Sequence, residues 1–178
     1  FKTYPNLIKD KKIERVGQVV VADITYLETY EGFCFLSLLT DYYSRRIVGY
    51  AVSERLTVEG SLEALEMAVK NLPAGVKPIH HSDRGVQYCC HAYRNRLRKA
   101  GARISMTEED HVYENAMAER INGILKQELG LGRKLATIEQ ARKIVREAVE
   151  IYNGERLHMS LGYQTPNSVF RVSKSYLN

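Results

Sequence analysis

The chain reads as an α/β domain, a mixed sheet covered by helices, and three observations lead there. Three β-rich runs follow one another at short spacing early in the sequence. Apolar residues then switch to a helical period, and two short strand-like runs return later between helical stretches. At 178 residues the chain fits one such domain. A domain of this size buries roughly 70% of the surface its unfolded chain exposes, so no disulfide or structural metal is required.

Residues 1–15 are polar and Lys-rich, carry Pro5 and show no periodicity, so a linker or the remnant of an upstream domain is expected there. The core is expected over residues 16–155, with its folded body opening near Gly17. VVVADITYL, residues 19–27, is the first strand. Gly32 turns the chain into a second strand over 33–39 that ends at Thr40-Asp41, and DYYSR leads into a third over 46–52. Three consecutive strands with short turns predict an antiparallel meander.

Thr57 opens a helix in which Leu62, Leu65, Met67 and Val69 recur and which stops before Pro73. A short strand is expected over 77–81, a helix over 88–99 closed by Gly101, and another short strand over 103–106. TEEDHVYEN is a polar loop opening a helix over about 115–129, and a further helix spans about 138–152. The tail, 156–178, carries Gly162 and Pro166 and is expected to be irregular and packed on the core.

Lys and Arg outnumber Asp and Glu by 26 to 21, a formal charge of +5. That excess suits polyanion binding but also occurs in ordinary enzymes, so charge alone assigns no partner. Cys34, Cys89 and Cys90 are odd in number and two are adjacent, a poor basis for a disulfide framework, so reduced thiols in a cytosolic setting are expected. No apolar run reaches membrane length and no signal-peptide pattern is present, so we read an excised intracellular piece of a longer protein. His80, His81, Cys89, Cys90 and His91 lack the spacings that let two ligands of one segment face one ion, so zinc is not expected.

Three acids carry the chemistry. Asp23 stands mid-strand among apolar neighbours, where alternation puts Val19, Val21, Asp23 and Thr25 on one face. A carboxylate there is costly to desolvate unless it meets a cation. Asp83 in HSDRG follows a short strand, where α/β folds place ligand-binding groups. Glu119 shares a helix face with Asn115, Asn122 and Lys126, apart from an apolar stripe of Met117, Ala118, Ile121, Ile124, Leu125 and Leu129. Alone, Asp23 reads as an exposed or ion-paired strand acid, Asp83 as a turn or capping acid, and Glu119 as part of a solvated face. Together they point to a metal site, because a pair of Mg²⁺ ions takes hard carboxylate oxygens.

The spacing sharpens this reading, with 59 residues between Asp23 and Asp83 and 35 between Asp83 and Glu119. With that D…D-35-E pattern the chain resembles the DDE transposase and retroviral integrase superfamily. ADITYL, DYYSRRIVGYAV, HSDRGVQY, ISMTEED, YENAMAERINGILKQE and YN-x-x-R-x-H-x-x-LGYQTP look most like the bacterial insertion-sequence-three transposases. The departures are modest: the family often has Trp shortly before the first Asp, Asp at the position of Glu114 and Gly at that of Asp110.

The resemblance implies a ribonuclease-H-like fold, the meander plus two parallel strands in a five-stranded mixed sheet flanked by helices. It implies a DNA transposase core performing metal-dependent strand cleavage and strand transfer. Asp23 would bridge two Mg²⁺ ions, with Mn²⁺ as a substitute, and Asp83 and Glu119 would each complete one. Expected DNA contacts are Arg45, Arg46, Arg84, Gln87, Asn115, Asn122 and Lys126. For Tyr152, Asn153, Arg156 and His158 of the tail motif, packing weighs at least as much as DNA contact. DNA ends and target DNA are the expected partners, with no membrane and at least a dimer in the working complex, in the bacterial cytoplasm at the nucleoid. The loop from Thr107 to Glu114 is expected to be mobile without DNA. Two competing readings are a catalytically idle DNA-binding or oligomerisation module, and another ribonuclease-H-like nuclease.

Overall fold

Val16, buried beside Gly17, leads into β1 (Val19–Thr29), the longest strand and the centre of the sheet. The computed structural model describes residues 2–108 and 116–175. β1 turns at Tyr30-Glu31 into β2 (Gly32–Asp41), which pairs antiparallel with it and with β3 (Ile47–Ser53). The other edge of β1 pairs parallel with β4 (Ile79–Ser82), and β4 pairs parallel with β5 (Arg103–Met106). The order β3-β2-β1-β4-β5 is the expected meander extended by two parallel strands.

Alternation along β1 sends its side chains to two helical layers. Val20, Ala22 and Ile24 pack with α1 (Val58–Asn71), the short α2 (Val86–Cys89) and α3 (His91–Lys99). Val19 and Val21 meet Ala118 of α4 (Ala116–Gln127). Further out on that face, Leu36 and Leu38 of β2 pack on Ile121, Ile124 and Leu125 of α4 and on Val145, Ala148 and Val149 of α5 (Ile138–Gly154). Buried Asp41 ties the entry to the β2–β3 turn: its carboxylate accepts from the Gly17 N–H at 2.7 Å and from the Ser44 hydroxyl at 2.6 Å.

Three expectations need correction. The helix foreseen over 88–99 is two helices, broken at Cys90, whose backbone is extended. Tyr88 and Tyr93 both point into the core, their rings 5.3 Å apart and both facing His80. On one continuous helix, residues five apart diverge by about 140°, so the break lets both tyrosines reach one place.

The tail is not irregular throughout. Pro166 opens α6 (Pro166–Ser175), a favoured first-turn position, with the Thr165 hydroxyl accepting from the Ser168 N–H at 3.2 Å. Residues 2–15, foreseen as a linker, have no regular structure but lie on the body. Leu7 N–H donates to Ser105 Oγ at 2.8 Å, and Leu7, Ile8 and Ile13 pack beside Val19 and Ile79.

Candidate active site

The register positions the first two acids. In the parallel pair, Val21 stands opposite His81, and two residues further on are Asp23, still in β1, and Asp83, just past the end of β4. Both acids therefore emerge at the same level, at the end where β4 stops and β1 continues beside β2, with Asp23 opposite Leu38. Asp83 is exposed and its Oδ1 accepts from the Gly85 N–H at 2.8 Å, a local turn that leads into α2.

The third acid arrives on α4. Ala118 anchors that helix against β1 at 5% exposure, which turns the Glu119, Asn122 and Lys126 face toward Asp23. Asn122 is 8% exposed, and its amide donates to Asp23 Oδ2 at 2.6 Å. The other amide atom, Oδ1, is buried and has no hydrogen-bond partner among the described residues.

Burial pushes the Asp23 carboxyl up to about 6, and the charges of Asp83 and Glu119 push the same way. The Ile24 N–H and the Asn122 amide oppose the rise. A carboxylate raised by burial and by two like charges is the electrostatic mark of a place where negative groups converge. Among the described residues no three His, Cys, Asp or Glu side chains already lie close enough to grip one ion. The donor set nevertheless fits a hard divalent cation, since it is all carboxylate oxygen and both Asp83 and Glu119 are exposed.

The expected DNA contacts fall into different places. Lys126 Nζ lies 4.6 Å from the Tyr26 ring, an aromatic neighbour not foreseen, although it stands only three residues after Asp23. Gln87 lines a cleft of about 220 Å³ with Asp83 and Tyr26, and its amide donates to the Leu56 carbonyl at 3.3 Å. Arg84 Nε donates to the Thr107 carbonyl at 2.8 Å.

Arg46, foreseen at the DNA backbone, has a different partner: Nε bonds Asn167 Oδ1 at 2.9 Å and the guanidinium sits 4.6 Å from the Phe170 ring. Asn122, foreseen at DNA, is committed to Asp23. Arg45 is half-buried over the Tyr42 ring, on the far side of α4. Asn115, and the loop expectation from residue 109 onward, lie outside the described residues.

His80, His81 and Cys90, for which zinc was not expected, bond to protein groups. His80 Nε2 pairs with the Tyr93 hydroxyl at 3.0 Å and His81 Nδ1 with Ser105 Oγ at 2.8 Å. The Cys90 sulfur accepts from the Tyr93 N–H. All three cysteines are free thiols.

The family model for the integrase core domain matches residues 13–111, and a second model of the same description matches residues 100–166. The chain belongs to the integrase core domain family. It is a member of the DDE transposase and integrase superfamily. It is 41% identical over 153 residues to the insertion element IS600 uncharacterized 31 kDa protein of Shigella sonnei, covering 84% of this chain and 56% of that protein. It is 36% identical over 154 residues to the transposase for insertion sequence element IS629 of the same organism, covering 86% and 51%. The putative transposase for IS986/IS6110 of Mycobacterium tuberculosis is 36% identical over 152 residues, covering 82% and 55%. The chain thus spans about half the length of the curated relatives it matches.

Solved structures show the fold. A chain of the simian T-cell lymphotropic virus intasome in complex with PP2A regulatory subunit B56 gamma superposes with a TM-score of 0.75 at 16% identity, covering 95% of this chain and 59% of that one. The HTLV-2 integrase catalytic core domain in complex with magnesium superposes with a TM-score of 0.70 at 15% identity, covering 89% and 99%. The integrase core described here is a ribonuclease-H-like α/β fold, as its motifs implied.

Proposed function

We propose that this integrase core is the catalytic part of a DNA transposase, performing metal-dependent strand cleavage and strand transfer during insertion-sequence transposition. One observation carries the reading. Asp23 stands in mid-strand, held by the Asn122 amide, its carboxyl raised by burial and by the charges of Asp83 and Glu119. In this reading Asp23, Asp83 and Glu119 would hold the divalent ions, two Mg²⁺, with Mn²⁺ able to replace them. Such ions polarise the scissile phosphate and stabilise the attacking and leaving oxygens.

In cleavage the attacking group is water and in strand transfer a DNA 3′-hydroxyl, so no covalent enzyme intermediate forms. In this reading Lys126, beside Asp23 and the Tyr26 ring, takes a DNA phosphate, and Gln87 and Arg84 border the Asp83 side. Joining two transposon ends to a target requires at least a dimer in the working complex. Among the described residues no helix is long and apolar enough to cross a membrane, and the reading places the protein at the bacterial nucleoid.

The test is Mn²⁺-dependent phosphoryl transfer on a branched DNA that mimics the strand-transfer product. Activity in the chain that is lost in both Asp23→Asn and Glu119→Gln is the expected result. Activity that survives both substitutions overturns the assignment. Cleavage of an RNA–DNA hybrid in place of the branched DNA would instead indicate another nuclease of this fold. Inactivity of the full-length protein as well would indicate an idle binding module.

A further inference from the structure

On the side of α4 turned away from Glu119, a cleft of about 560 Å³ opens between that helix, the β2–β3 turn and the segment after α5. Three arginines line it, Arg45, Arg120 and Arg156, and among the described residues no acid does; the Arg45 guanidinium donates to the Tyr42 carbonyl at 2.8 Å and to the Met117 sulfur. Arg156 is oriented from outside by Glu128, at 2.7 and 2.8 Å. The helix positions agree: Arg120, Ile121 and Ile124 fall roughly opposite Glu119, Asn122 and Lys126 around the helix axis.

Two independent features mark this cleft as built for a ligand. Tyr152, fully buried, and His158, 8% exposed, both line it, their rings 5.1 Å apart, and among the described residues the Tyr152 hydroxyl and His158 Nε2 have no hydrogen-bond partner. Buried polar atoms without partners are costly, and an oxygen-rich ligand, or water carried with it, would satisfy them. Burial and the nearby arginines push His158 down to about 4, so it is neutral near pH 7 and able to accept or donate.

The second feature is backbone strain. Among the described residues only two that are not glycine have positive φ, Arg45 at 63° and Tyr163 at 60°, and both line this cleft. Side chains held in that region cost free energy that surrounding structure must impose, and such residues cluster at ligand clamps.

We propose that this cleft is a second nucleic-acid subsite, taking one nucleotide of a DNA strand with its phosphate against Arg45 and Arg120 and its base against Tyr163. The volume exceeds what a bare phosphate needs. Tyr163, 67% exposed, and Met159, 76% exposed, give a base an aromatic and apolar wall, the usual means of holding an unstacked nucleotide. The inference rests on the proposed reading that DNA is the substrate, and it places a second length of strand across α4 from the carboxylates. One helix would then report the occupancy of both sites.

The test uses the whole chain and a short fluorescent oligodeoxythymidylate read by anisotropy. Arg120 and Tyr163 are exposed, so Arg120→Gln and Tyr163→Ala should keep the fold, checked by unchanged melting temperature. Each is expected to weaken binding about tenfold, and Arg120→Gln to reduce the salt slope of log K by about one. An oligonucleotide carrying 5-iodouracil is expected to crosslink to Tyr163 or Met159. Unchanged affinity in both variants, or crosslinks only elsewhere, overturns the subsite. Displacement by inorganic phosphate as effective as by thymidine oligonucleotide overturns the nucleotide assignment in favour of a free-phosphate site. Failure of the wild-type chain to bind any oligonucleotide also overturns the subsite. The branched-DNA assay with Asp23→Asn judges the carboxylate reading separately.

Discussion

The side-chain amide of Asn122 donates to Asp23 Oδ2 at 2.6 Å, joining α4 to the middle of β1. One nitrogen thus sets the orientation of Asp23, the most buried of the three acids, and holds the helix that carries Glu119. A hydrogen bond to a charged group contributes about 1.5–3 kcal/mol, so Asn122→Ala is expected to lower strand-transfer rate by at least about tenfold. Because the amide holds the Asp23 carboxyl down, its loss should move the acid limb of the pH–rate profile to higher pH. A variant with unchanged rate and profile would remove the positioning role.

Asp23 also makes stability depend on pH when divalent cation is removed. Its folded value, about 6, lies above its ordinary one, so the folded state binds the proton more tightly. The stabilisation is present below about pH 4 and is lost as pH rises through 6. Asp23→Asn cannot ionise, so its advantage over wild type in chelator should be smallest below pH 4 and reach at most about 3 kcal/mol above pH 7. Paired melting curves across that range check it, and a difference that does not vary with pH would be inconsistent with the raised value. Mg²⁺ should narrow the gap, by stabilising only the wild type.

Buried His80 works in the opposite sense. Burial first, with the neighbouring His81 second, pushes it down to about 3, so it is neutral in the folded state. Its contribution is present above about pH 6.5 and falls away as acid protonates the unfolded chain. His80→Gln should therefore flatten the loss of stability between pH 6.5 and 4, measured by urea unfolding. A slope equal to that of wild type would rule His80 out as its source.

Gly49 lets β3 and α1 approach each other. A Cβ there would lie 2.1 Å from the Ala64 carbonyl oxygen and 2.9 Å from the Ala68 nitrogen, and backbone atoms cannot swing aside. Gly49→Ala is expected to cost about 3 kcal/mol or more, since even ordinary overpacking costs 1–3. Equilibrium urea unfolding reads it, and a near-neutral result would mean that α1 can slide on the sheet.

Much of this architecture was legible because its signals are local. Period-two alternation in VVVADITYL put Asp23 on the Val19 and Val21 face, and the structure has that face against α4. The helix face of Glu119, Asn122 and Lys126 followed from spacing alone. What alternation and spacing do not carry is the identity of a partner far along the chain. Asn122 and Asp23 are 99 residues apart, and Arg46 and Asn167 are 121 apart. Both Asn122 and Arg46 read as polar groups open to DNA, because nothing nearby in sequence shows the atom that receives them. The break at Cys90 escaped for a related reason: a helix-compatible run gives no sign that two tyrosines five apart must face one histidine.

The tail offers the sharpest test of such long-range packing. Residues beyond Asn153 look irregular in sequence, yet Phe170 of α6 is only 5% exposed and belongs to the cluster of Val20, Leu39 and Val48. Arg46 covers its ring at 4.6 Å and bonds Asn167 one turn earlier, so the β2–β3 turn clasps the helix through one side chain. Phe170→Ala should cost about 3–5 kcal/mol, the range for emptying a buried Phe site, whereas Arg46→Ala should cost about 1 kcal/mol from the lost ring and amide contacts. If α6 were an appendage, Phe170→Ala would leave the urea midpoint where it is. If α6 completes the core, the midpoint falls at unchanged m-value, and the two substitutions combined cost less than their sum, because each removes a partner of the same contact.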